Sequence, residues 1–284
     1  MNGIQSFALS KPVWFVLIVI AAWFVLMLLL LGILSGLLRK PYGDPTCATL
    51  SRLVAGGCVV VLAWQLGWLQ SSGIGQVGTW QVWLLALAGL IYYAAASLYA
   101  FYGKAAFDFS SLAHPRAREI FTTTLVVGLG EEILFRGLAL YVLLRAWGGS
   151  PGGQIGAVAL TALLFALLHL SQVLSNQLPL KSAALLTLQT LLIACWWGAV
   201  AALGGSMWPA VVLHFAANAV VALQGINAPM LKPEGLAYER LLWLSLPLGV
   251  ATALVSLTAS LPRYAIDHRL GREALGAFAV AGGI

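Results

Sequence analysis

Charge is what this sequence has least of. Only 8% of its 284 residues are Asp, Glu, Lys or Arg, against roughly 25% in an ordinary soluble domain. Too little polar surface remains to cover a water-soluble globule. The mean hydropathy of +0.94 agrees, and apolar runs near the ~20 residues that span a bilayer recur along the chain. Aspartate is missing from all of these runs, because Asp44, Asp108 and Asp267 fall in loops or in the tail. That excludes an intramembrane aspartyl dyad. Cysteine is scarce as well. Cys47, Cys58 and Cys195 show no paired spacing for zinc or redox work and read as small apolar packing residues. A zinc-protease His-Glu-x-x-His motif is absent. The net charge of +6 forms no patch: Arg39, Lys40, Lys104, Arg116, Arg118 and Lys232 lie between apolar runs, as in juxtamembrane loops. Nucleic acid is therefore not an expected partner; the lipid bilayer is. The apolar stretch over 13–38 is too long for the core of a cleavable signal.

What is present is a series of such runs. They predict an all-α fold, a polytopic membrane helical bundle of about eight transmembrane helices, with spans near 13–38, 47–69, 80–102, 120–144, 155–174, 182–203, 207–223 and 241–261. A Gly/Ser-rich turn is expected over 71–78, a polar loop or surface helix over 104–118, and a further loop around Pro229 and Pro233. Residues 1–284 read as a single transmembrane domain, in which 120–223 forms the core that carries the chemistry. Lys and Arg are richer in the loops after spans one, three, five and seven, which predicts a non-cytoplasmic N-terminus, although the basic tail opposes it. An integral multi-pass protein of a bacterial plasma membrane is expected.

Ionisable groups inside a membrane cost roughly 2.5–3.5 kcal/mol each at a helix centre, and they mark function. Three places stand out. The fourth span carries Glu131, Glu132 and Arg136, flanked by Gly128, Gly130 and Gly137. Glu132 and Arg136 are four apart, the spacing at which carboxylate and guanidinium meet on one helix face. Glu131 then points about 100° around the helix, so that one acid reads as structural and the other as free. The glycines let neighbouring helices approach the acids closely. The fifth span holds Phe165 and His169, and the seventh holds His214 and Asn218, which share a face. Taken singly, each has a bland reading: a helix-pinning ion pair, an interfacial histidine, interhelical glue. Together they form one set that can converge on a polar pocket.

Peptide hydrolysis in a membrane needs a water, a base, and donors for the oxyanion. Glu131 can be the base, His169 can orient the water or pass a proton to the leaving amine, and His214 with Asn218 can face the oxyanion. A serine route through Ser206 beside Gly204 and Gly205 is a weaker reading than a short turn. No cofactor is needed, but a zinc site built from Glu131, His169 and His214 stays open, since three ligands and a water make a catalytic zinc pattern. Two non-protease readings also remain: an immunity or partner-binding membrane protein, and an ion-coupled transporter.

The motifs Glu131-Glu132-Ile-Leu-Phe-Arg136, Phe165-Ala-Leu-Leu-His169 and His214-Phe-Ala-Ala-Asn218 resemble, in order, those of the CAAX protease and bacteriocin-processing family, which includes the CAAX prenyl endopeptidase. The resemblance covers about 120–223. It implies an eight-helix fold and a metal-independent glutamic mechanism: Glu131 as base, His169 on the water, His214 and Asn218 at the oxyanion, and Glu132 and Arg136 in support. It also implies a membrane-anchored peptide or protein, of the prenylated CAAX type in some members, as substrate.

Overall fold

The computed structural model describes residues 3–148, 150–171, 178–228 and 234–269, with the side chains of 234, 235 and 255–269 excepted. Helices follow one another without a strand among the described residues: α1 (Gly3–Ser10), α2 (Pro12–Leu38), α3 (Pro45–Gln65), α4 (Trp80–Tyr102), α5 (Ala117–Glu132), α6 (Leu140–Trp147), α7 (Pro151–Leu168), α8 (Leu180–Gly204), α9 (Trp208–Asn227) and α10 (Glu234–Arg269). Six of them, α2, α3, α4, α7, α8 and α9, are long and apolar enough to cross a membrane. The chain is an all-α integral membrane bundle.

The expected fourth span is one rod in three pieces, α5, a π-helical stretch over Ile133–Ala139, and α6. The expected eighth span lies within the 36-residue α10. The loop around Pro229 and Pro233, residues 172–174 of the fifth span, and the tail beyond 269 lie outside the described residues. Helix α7 ends at Leu168, with His169 as its C-cap. The short α1 was not legible as a separate element. Its Gln5 side chain donates to the Leu66 carbonyl at 2.6 Å.

Local signals set the helix starts. Asp44 caps α3, accepting from the backbone N–H of Thr46 at 3.0 Å and of Cys47 at 3.4 Å, and Pro45 stands where a missing N–H costs nothing. Within 104–118, a 3-10 turn over Phe109–Ala113 is capped by Asp108. Hydrogen bonds from the Ser110 side chain and backbone, and from Asn227, hold the Asp108 carboxyl below the ordinary carboxylate range. This ties the loop to the end of α9.

The segment between α3 and α4 does more than turn. It docks on the Gly204-Gly205-Ser206 corner that joins α8 to α9. Ser206 Oγ donates to the Gln76 carbonyl at 2.6 Å, Met207 N to the Gly73 carbonyl at 3.3 Å, and Trp208 Nε1 to the Ile74 carbonyl at 3.0 Å. Ser206 is thereby held in a structural corner. Gly73 has φ +77°, and a Cβ there would meet Gly205 O at 2.7 Å and Ser206 Cα at 2.8 Å, both of them backbone. Gly43 also has a positive φ, of +89°, but its Cβ would meet open space. The pair separates strain from crowding. Gly43→Ala should cost about 1–2 kcal/mol, whereas Gly73→Ala adds about 1–3 kcal/mol of overpacking. Thermal unfolding of both variants in detergent measures the difference, and equal losses would mean that the docked loop yields freely.

Candidate active site

Glycines set how closely the helices around the acid pair approach. A Cβ on Gly56 of α3 would lie 3.3 Å from Gly130 Cα, and one on Gly128 would lie 3.2 Å from Phe215 N and 3.6 Å from His214 Cβ. Helix α5 is thus wedged between α3 and α9 where side chains are smallest. Directly after Glu132 the winding widens to π, and all seven residues from Ile133 to Ala139 are buried. Such π segments recur at functional sites, because they re-aim side chains within an otherwise regular helix.

Glu132 and Arg136 form the expected pair, with Arg136 Nη1 donating to Glu132 Oε1 at 2.9 Å and the Glu132 side chain 0% exposed. Arg136 Nη2 also donates to the Ala194 carbonyl at 3.2 Å. Yet Glu132 is more than a helix pin. The same Oε1 lies 2.9 Å from Nδ1 of His214, so the buried acid links the guanidinium to one of the two intramembrane imidazoles. Glu131 occupies the cavity wall, its side chain 19% exposed, with Oε2 3.9 Å from His214 Nε2. That gap is too long for a direct hydrogen bond.

An aromatic frame surrounds this chain of polar groups. The Phe165 ring packs edge-on against His169 (centroids 5.3 Å apart), His214 (5.7 Å) and Trp197 (6.2 Å). The Arg136 guanidinium sits 4.6 Å from the Phe165 centroid. Trp197 stacks on His214 at 4.7 Å and 27°. Phe165 therefore meets both imidazoles and the arginine at once, which explains its place in a motif with His169.

The hydrogen-bond partners constrain the tautomers. His169 Nδ1 lies 3.2 Å from the Phe165 carbonyl, an oxygen that can only accept, so Nδ1 carries the hydrogen and Nε2 offers a lone pair. His214 Nδ1 faces a carboxylate oxygen already bonded to Arg136, so it too is the N–H nitrogen. As a neutral ring His214 presents an acceptor at Nε2, and it becomes a donor there only as an imidazolium. The expectation that His214 simply offers an N–H needs that second proton.

A cavity of about 710 Å³ opens beside these groups, and Glu131, Phe165, His169, His214 and Asn218 all line it. Glu132 and Arg136 stand behind its wall. Thus α5, α7 and α9 bring the four candidate catalytic side chains together around one space. The lining adds residues that the sequence reading passed over: Arg52 from α3, Tyr93 and Ser97 from α4, Gln189, Thr190 and Trp197 from α8. Gln189 donates to the Tyr93 hydroxyl. Arg52 carried a signal that was missed, an arginine inside an apolar span. The uncharged groups carried none. Among the described residues no three His, Cys, Asp or Glu side chains lie close enough together to hold a metal ion.

Neither the curated proteins nor the solved structures compared with the chain contain a match. Residues 115–220, however, match the family model described as type II CAAX prenyl endopeptidase Rce1-like. The stretch begins just before α5 and ends within α9, and it takes in all three motifs, so the motif-bearing core of this chain is similar to that family.

Proposed function

We propose that the protein is a membrane endopeptidase of the CAAX type that hydrolyses a peptide bond of a membrane-anchored protein or peptide with a glutamate-activated water. The observation that carries this reading is the convergence of Glu131, His169, His214 and Asn218 on one cavity, with His214 held from behind by Glu132 and Arg136. The water sits against the Glu131 carboxylate and the Nε2 lone pair of His169. Glu131 takes its proton as the oxygen adds to the scissile carbonyl. The oxyanion is met by the Asn218 side-chain N–H and by Nε2–H of a protonated His214, whose other N–H points at Glu132. When the tetrahedral species collapses, the carbon–nitrogen bond breaks and the proton on Glu131 passes to the leaving amine. The products are a carboxylic acid and an amine, and water is the only co-reactant.

Purified protein in lipid nanodiscs, incubated with a library of lipid-anchored fluorogenic peptides, tests the reading. Turnover that persists in chelator supports it, and turnover abolished by chelator would replace the glutamic route with a metal one. Binding without any turnover would make this a partner-binding protein. Asn218→Ala should lower kcat by about 10²–10³-fold, the usual loss on removing one oxyanion donor, with little change in KM.

A further inference from the structure

The cavity has a second polar wall, which the proposed chemistry leaves unused. It is built by α4 and α8 rather than by the motif-bearing α5, α7 and α9, and it presents Tyr93, Ser97, Gln189 and Thr190. Both helices are long and apolar enough to cross a membrane. Gln189 and Ser97 are only 2% and 1% exposed, and uncharged polar groups at such a place are costly unless they are answered. Gln189 Nε2 donates to the Tyr93 hydroxyl. Ser97 Oγ stands beside that hydroxyl and makes no hydrogen bond of its own.

A polar row between two helices can serve simply as glue. Here α4 and α8 already meet without it. Four residues before Tyr93, a Cβ on Gly89 would lie 2.3 Å from Trp196 Nε1, so the crossing is set by a glycine against an indole. The unanswered Ser97 hydroxyl is what glue does not explain. Hydrogen-bond capacity shows what the row lacks. Once Gln189 and Tyr93 share their bond, a hydroxyl hydrogen and the amide oxygen are left over. With that bond reversed, amide hydrogens and a hydroxyl oxygen are left over instead. Either way the remainder is a donor and an acceptor, the complement of one amide. A peptide inside a membrane protein must have its main-chain N–H and C=O groups answered, and an extended segment cannot answer its own.

The distance to the proposed chemistry is set by α8. Trp197 stacks on His214, and Gln189 precedes Trp197 by eight residues on the same helix, about 12 Å along the axis. An extended chain rises about 3.3 Å per residue, so a peptide running from one to the other covers about three or four residues.

We propose that Tyr93, Ser97 and Gln189 form a docking subsite for the substrate main chain, holding one amide about three or four residues from the bond that is cut. The proposal rests on the endopeptidase reading for its substrate class. The three side chains touch the peptide away from the reacting atoms, so their effect falls on KM.

The test uses a lipid-anchored fluorogenic peptide and a set of its analogues, in each of which one main-chain amide other than the scissile one becomes an ester. Turnover is read with the wild-type protein and Kd with Glu131→Gln protein, both in nanodiscs. One ester, at the distance given above, should raise KM and Kd about three- to thirtyfold, the range for one buried hydrogen bond left unmade, with kcat nearly unchanged. Gln189→Met and Tyr93→Phe should each weaken the parent peptide and bring its advantage over that ester close to one. A merely structural role would weaken parent and ester together and leave the advantage intact, which overturns the proposal, as does a wild-type protein indifferent to every ester. A preference for an Asn or Gln side chain at one position, with every ester tolerated, would assign the row to a side-chain amide and overturn it too. If the ester effect appears in Kd while no peptide is cut, the subsite stands and the endopeptidase reading fails. If the peptides are cut with no ester effect, the reverse holds.

Discussion

Glu131→Gln should lower kcat by about 10²–10⁴-fold or more, the range over which a positioned general base contributes, and leave thermal unfolding nearly unchanged. The asymmetry follows from where the side chain sits. Glu131 reaches the cavity with 19% of its side chain exposed, and its nearest ionisable partner, His214 Nε2, is 3.9 Å away. Gln keeps the shape and hydrogen-bonding reach while losing the capacity to take a proton, so substrate binding should survive. The loss should fall on kcat rather than KM, as expected for a group whose role is confined to the transition state. Single-turnover cleavage of a lipid-anchored peptide, beside a melting curve of the same preparation, reads both quantities. Turnover within a few-fold of wild type would remove the glutamate from the mechanism and leave His169, with its free Nε2, as the base.

Much of the site was legible because the membrane makes polar residues conspicuous. In a chain so poor in charge, the Glu131-Glu132 pair, His169 and His214 stand out against their spans, and the four-residue spacing of Glu132 and Arg136 correctly puts them in contact. The glycines were readable for the same reason: Gly128 and Gly130 sit where α9 and α3 come closest. Other features depended on three-dimensional facts that no periodicity records. The π winding over Ile133–Ala139 falls in an apolar stretch whose composition suits an α-helix equally well. The second bond of Glu132, to His214, joins residues 82 apart in sequence. The stretch after α3 looks like an ordinary Gly/Ser turn, and only its docking on Ser206 and Met207 reveals it as packed structure. Arg52 differs from these. An arginine within an apolar span carries the same signal that singles out the glutamates, although the basic residues named from the sequence are those between the runs.

Arg136 and Glu132 allow stability and chemistry to be separated. Arg136→Met should destabilise by about 3–5 kcal/mol, because it leaves the fully buried Glu132 carboxylate without its counter-ion. Glu132→Leu should cost a similar amount, with the guanidinium then held only by the Ala194 carbonyl and the faces of Phe165 and Trp197. In the double variant neither charge remains. Buried ion pairs replaced by apolar groups of similar volume are often neutral or better for stability, so unfolding should return to within about 1 kcal/mol of wild type. Cleavage should not return. The His214 ring would keep its stacking on Trp197 but lose the acceptor that holds Nδ1–H and directs Nε2 towards Glu131. Melting and single-turnover rates across the four proteins form one cycle. A stable and fully active double variant would reduce Glu132 and Arg136 to a helix fastening. A stable but inactive one would mean that the pair is retained for orienting His214, since the fold alone does as well without it.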